Sequence, residues 1–223
     1  MHFRCSKSSP VGQKSDTVIK PRYYLSLAHT ANKKCFLHGG TIYAMIYFTS
    51  DQHFGHRNII RFCARPFFSA GEMDAALIRN WNEKVSNADT VYILGDLMYR
   101  NECPPESYLS QLNGKKHLIL GNHDASWIGT VAANEWFESV SDLLTFSDGQ
   151  HRIVACHYPM LSWPDQPKSY MLFGHIHNNI DPNSWPLMRA SDRLLNVGVD
   201  INGYAPVSFE ELVENNRRFK EAH

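Results

Sequence analysis

Six of the twelve histidines in this 223-residue sequence fall in five short clusters with acidic and amide side chains. The clusters are Ser50-Asp51-Gln52-His53 with Gly55-His56 just beyond, Gly95-Asp96, Gly121-Asn122-His123-Asp124, His157-Tyr158-Pro159 and Gly174-His175-Ile176-His177. Three carboxylate-type or amide oxygens and four imidazoles from such clusters make a set suited to Mn, Fe, Zn or Ni, and not to calcium or a thiolate-only site. Seven donors exceed what one tetrahedral ion with an open position uses. Two ions sharing one carboxylate account for them better. Ions ~3.5–4 Å apart can clamp the attacking and leaving oxygens of an in-line phosphoryl displacement.

Each cluster follows an apolar run of strand length. The runs Met45–Thr49, Val91–Leu94, His117–Leu120, Ile153–Cys156 and Met171–Phe173 precede the five clusters in turn, and Leu194–Val199 is a sixth. Groups at the carboxyl ends of strands converge on one crevice in open α/β sheets. Strand periodicity of two is expected to turn Asp51 and His53 to one face, and likewise His175 and His177. Between the first two runs, Met73, Leu77, Trp81 and Val85 recur every four residues, which predicts an amphipathic helix. A shorter helix is expected from Pro104-Pro105 to Gly114, and a last one from Phe209 to about Glu221, with Ser208 and Glu211 as a capping box. Strands alternating with helices, then strands closely spaced, point to α/β layering with mixed sheets.

Composition excludes other classes. Hydrophobic residues make up 43% and charged residues 20%, so disordered and fibrous readings fail. Basic and acidic residues balance at 22 each, which leaves no global field for nucleic acid. No apolar run approaches the ~20 residues of a membrane helix. Five cysteines without framework spacing read as reduced thiols, hence a cytoplasmic setting. Residues 1–44 carry seven basic residues against one acid and no apolar periodicity. They are read as a basic extension to a domain spanning 45–223: a flexible tail, an organelle-type transit segment, or sequence upstream of a true start at Met45.

Asp51-x-His53, Gly95-Asp96, Gly121-Asn122-His123-Asp124, His157 and Gly174-His175-x-His177 resemble, in order, the five-block signature of the calcineurin-like metallophosphoesterases. The wording around the first block, Phe48 to Ile60, resembles a branch of small bacterial and phage phosphoesterases. The resemblance implies a four-layer α/β/β/α sandwich of two mixed sheets. It also implies that Asp51, His53 and His177 hold one metal and Asn122, His157 and His175 the other, with Asp96 bridging. A metal-bridging hydroxide then attacks phosphorus, and His123, held by Asp124, protonates the leaving oxygen. Many members carry Gly-Asp-x-x-Asp-Arg in the second block. Here Arg100 matches the phosphate-holding arginine, but Tyr99 stands in the second Asp position.

Other residues weigh function against packing. His56 is either a phosphate contact or a turn histidine. Arg57, Arg61 and Arg65 would line one helix face, solvated or steering anions. Cys156 reads as a core thiol, and Trp163 as packing or a pocket wall. The expected activity is hydrolysis of a phosphodiester or nucleotide-type ester by two divalent ions, Mn first, with Arg100 and His56 as substrate contacts. Phosphomonoester hydrolysis, or a metal-binding scaffold without turnover, is the alternative. The expected partner is a small phosphoester, with no membrane; nucleic acid and oligomeric state stay open.

Overall fold

A computed structural model of the chain describes residues 44–100 and 103–223. The basic extension expected over 1–44 lies outside the described residues except for Ala44.

The six apolar runs all form strands. They are β1 (Ile46–Thr49), β2 (Thr90–Ile93), β3 (Lys115–Ile119), β6 (Arg152–Cys156), β7 (Ser169–Phe173) and β8 (Leu194–Asn196). Two further strands lie between β3 and β6: β4 (Ser139–Ser141) and β5 (Leu143–Ser147). Both sit at sheet edges, and β4 has a single apolar residue, so neither stands out as an apolar run. The first sheet runs β1-β2-β3-β4 and is parallel throughout, where a mixed sheet was expected. The second runs β5-β6-β7-β8 and is mixed, with β5 antiparallel to β6 and the rest parallel.

Helix α1 (Arg57–Phe62) precedes α2 (Ala70–Lys84), which buries Met73, Leu77 and Trp81 against Val91, Ile93 and Leu118 of the first sheet. Each such side chain contributes roughly 1.5–3 kcal/mol on burial. Ser69 caps α2 by accepting from the Glu72 N–H at 3.1 Å. Helix α3 (Glu106–Leu109) is shorter than expected, ending before Gly114; α4 (Ala133–Trp136) and α5 (Trp185–Arg189) are single turns. Between the sheets lie Phe48, Tyr92, Leu94 and Ile119 from one side and Phe146, Ile153, Leu172 and Leu195 from the other. Met188 of α5 packs with Val154, Met171 and Phe173 on the far face of the second sheet. These are the four layers: helices, sheet, sheet, helix. The last helix, α6 (Phe209–Ala222), carries the expected Ser208–Glu211 capping box and inserts Phe209 and Leu212 into the core between the sheets. No described helix is long and apolar enough to cross a membrane.

The layering aims strand ends at one place. The carboxyl ends of β1, β2 and β3 point the same way because that sheet is parallel, and β6 and β7 are parallel to each other. The sheets join where Ser50 bridges Gly198 in parallel.

Candidate metal centre

Beyond each strand end the backbone leaves the sheet at once. Asp51, His53, Asp96, His175 and His177 all have φ between 52° and 70°. This corrects the expectation from strand periodicity: the Asp-x-His and His-x-His pairs share a site because both members adopt left-handed backbone past the strand. That conformation costs an L-residue roughly 1–2 kcal/mol. Five of them in one place form a tightly specified set of loops. Backbone hydrogen bonds lock them: Asp51 N–H donates to Gly95 O and His53 N–H to Asp96 O, both at 3.0 Å. Two glycines make room. A Cβ on Gly95, whose φ is +85°, would meet His157 Nδ1 at 2.5 Å, and one on Gly174 would strike Ser50 and Asp51.

The seven expected donors come together. Asp51, His53 and His177 offer ligand atoms within 4.8 Å of one another, and so do Asp96, His157 and His175. Asn122 Oδ1 lies 3.1 Å from His157 Nε2 and 3.0 Å from His175 Nδ1, which adds it to the second group. Asp96 Oδ2 stands between the groups, 3.6 Å from His53 Nε2 and 3.4 Å from His157 Nε2. His53 Nε2 is buried without a hydrogen-bond partner, between carboxylate oxygens of Asp51 at 3.9 Å and Asp96 at 3.6 Å. A stranded buried imidazole nitrogen facing two carboxylates costs free energy as it stands. Its surroundings are those of a cation ligand, so the residues present fit a divalent metal.

Electrostatics follow the burial. Burial pushes the Asp51 carboxyl up, and it pushes the His53 imidazole well down, helped by nearby His177 and Arg65. At His177 burial opposes protonation, but the hydrogen bond to Asp200 and the charge of Asp51 outweigh it and raise the imidazole to about 10. Metal uptake by such a set displaces protons. His56 is lowered to about 4, by burial first and then by the neighbouring His123, Arg65 and Arg100. It is therefore neutral at pH 7, with Nδ1 3.3 Å from His53 Nδ1.

An open cleft of about 910 Å³ lies over these groups, lined by His53, His56, Tyr99, Arg100, His123 and His177 among others. Tyr99, in place of the second Asp, lies with its ring centroid 4.0 Å from His123 and 4.7 Å from His56. The Arg100 guanidinium sits 5.0 Å over the same ring. An aromatic face thus lies under Arg100 at the position where many members of the family carry an aspartate.

Asp124 departs from expectation. Its carboxylate does not hold the His123 ring; it accepts four other N–H groups, from Gly121 and Asp96 at 2.8 Å, Trp127 Nε1 at 2.9 Å and Leu97 at 3.1 Å. It is completely buried and staples the second block to the third. His123 instead contacts Asp96, through its own N–H to Oδ1 at 2.9 Å and with Nε2 3.8 Å from Oδ2. Arg65 also departs from expectation, since α1 ends at Phe62 and leaves only Arg57 and Arg61 on the exposed face. Arg65 is buried, and with Asp200 it was missed. Trp163 packs in the outer core beside Met171 and does not line the cleft, and Cys156 packs beside the same core. Cys63 and Cys156 are in no disulfide.

A calcineurin-like phosphoesterase family model matches residues 44–198. The chain belongs to this family. An uncharacterised protein of Methanocaldococcus jannaschii is 33% identical over 172 residues, covering 76% of this chain and 89% of that one. The gene 66 protein of Mycobacterium phage L5 is 40% identical over 81 residues, 35% of this chain and 39% of its own length. Among solved structures, a protein of unknown function from Aquifex aeolicus is similar at TM-score 0.59 and 27% identity, covering 77% of this chain and 99% of its own. The calcineurin-like phosphoesterase fold of this chain is thus a metallophosphoesterase sandwich, its enzyme class is phosphoester hydrolysis, and the family implies divalent metal ions for the clusters described above.

Proposed function

We propose that this calcineurin-like phosphoesterase cleaves phosphodiesters of nucleotide type, using two divalent ions, manganese first among them. The domain of 45–223 carries all seven donors assigned here. One ion is assigned to Asp51, His53 and His177, the other to Asn122, His157 and His175, with Asp96 shared. The observation that carries this reading is the position of the Asp96 carboxylate, whose Oδ2 reaches an imidazole of each group at 3.6 and 3.4 Å. When bound, the ions would neutralise charge on the phosphoryl oxygens and acidify a water enough to serve as nucleophile near neutral pH.

The chain's own groups do the rest. His123 lies at the cleft with its side chain partly open to solvent. From Nε2 it would give a proton to the leaving oxygen as the bond from phosphorus to that oxygen breaks. Arg100 and neutral His56 would hold the remaining phosphoryl oxygens. The diester reading draws on the cleft walls. No acidic side chain lines the cleft among the described residues, and exposed Phe62 and the Tyr99 ring offer stacking faces for a base.

The test loads the metal-stripped chain with Mn, Fe, Zn or Ni, counts ions per chain, and compares turnover of matched chromogenic mono- and diesters with a panel of nucleotides. Two ions per chain and faster diester cleavage are expected. A single ion at saturation, or a preference for monoesters, overturns the reading.

A further inference from the structure

Helix α1 ends in a tight reversal. Ala64 takes φ +50°, its N–H donates to Arg61 O at 3.4 Å, and the Arg65 N–H donates to Ile60 O at 2.8 Å. This double closure is the Schellman pattern. It lifts Arg65 off the exposed row of Arg57 and Arg61 and turns it into the protein, where only 4% of it stays exposed.

There the guanidinium is almost fully used. Nη2 donates to Asp51 O at 2.7 Å and Nη1 to Gln52 O at 2.9 Å. Nε and Nη2 grip the two oxygens of Asp200 at 2.8 and 2.9 Å. Asp200 Oδ2 also lies 2.7 Å from His177 Nδ1. A carboxylate can only accept, so the proton of this bond sits on Nδ1. His177 Nε2 is then the nitrogen left for a metal, and it lies 3.9 Å from Asp51 Oδ1. One buried Arg–Asp pair therefore holds the backbone of the Asp51 loop and the ring orientation of His177 together. Burying such a pair is no efficient route to stability, since desolvation offsets its attraction. Its value lies in orientation.

The rings of the other group take their orientation elsewhere, although the His175 N–H donates to the Asp51 carboxylate at 3.0 Å. His157 Nδ1 bonds Leu94 O at 2.7 Å, and His175 Nδ1 faces Asn122. Neither touches Arg65 or Asp200.

We propose that Arg65 and Asp200 are positioning residues for the ion assigned to Asp51, His53 and His177, and leave the other ion untouched. This rests on the two-ion reading above. Partners that orient ligating histidines typically account for about 10–100-fold in metal affinity.

The experiment titrates Mn into the metal-stripped full chain by calorimetry, for wild type, Asp200→Asn and Arg65→Lys. Arg65→Lys keeps a charge opposite Asp200, and so carries the test if Asp200→Asn does not fold. It cannot reach both carbonyls and both carboxylate oxygens at once. Expected is a loss of about 10–100-fold in one binding step, with the other within about twofold. In Asp200→Asn, the ¹⁵N-detected His177 Nδ1–H resonance should also lose its hydrogen-bonded shift. Two unchanged steps, or equal weakening of both in a folded variant, overturn the proposal. A wild-type chain that never takes a second ion overturns the two-ion reading itself, and this proposal with it.

Discussion

Asp124→Asn separates the two roles this residue could have. As the staple seen in the structure, the carboxylate accepts four N–H groups in a fully buried position. An asparagine side chain keeps one oxygen, enough for two of those donors, and turns its NH₂ toward the other two. A buried donor left unpaired costs about 1–3 kcal/mol, so the loss should be roughly 2–6 kcal/mol. For a chain of this size, a change of that order lowers Tm by about 4–24 °C. Catalysis should fall by a similar factor for every ester, because the strands carrying Asp96 and Asn122 loosen together. Thermal unfolding of the metal-loaded chain, beside hydrolysis rates for aryl phosphodiesters of graded leaving-group acidity, reads both effects. A Tm equal to wild type, combined with a selective loss on poor leaving groups, would show that Asp124 serves His123 after all and would refute the staple.

Three further outcomes follow from the same geometry. Asp96→Asn should weaken both ions together, since its Oδ2 approaches both ligand groups; metal counting after dialysis checks this, and two tightly retained ions would end the shared-ligand assignment. His123→Ala should slow esters of poor leaving groups far more than activated ones, by about 10²–10⁴-fold at the extreme; equal slowing across the series argues against proton donation. Asp74 is buried, accepts from the Gly55 N–H at 3.1 Å and from the Tyr108 hydroxyl at 3.2 Å, and is pushed up to about 6 chiefly by burial. A raised carboxyl favours the folded state while protonated, and that contribution fades as pH rises from about 4 through 6, by roughly 3 kcal/mol in all. Asp74→Asn lacks this titration, so the stability of wild type relative to the variant should drop by about that amount between pH 4 and pH 8 in denaturant melts; a constant difference would sink the assignment.

Sequence alone determined six of the eight described strands, helix α2, helix α6 with its capping box, and the order of the blocks that carry the seven candidate donors. All of these are written in local signals: runs of apolar residues, a spacing of four, a Ser three residues before a Glu, short blocks after each strand. Tertiary structure decided the rest. Spacing placed Asp51 beside His53 on a strand face, but left-handed backbone beyond the strand put them there, held by hydrogen bonds to Gly95 and Asp96 on a neighbouring chain segment. Arg65 looked like the third member of an exposed row; a turn at Ala64 sent it inward to an aspartate 135 positions away. Asp124 looked like the partner of the histidine beside it and bonds instead to the backbone of a block 27 and 28 residues earlier. Apolar periodicity is local because burial depends on which face of an element a residue occupies. A buried charge must find its partner wherever the fold brings one, and no spacing in the chain records that distance.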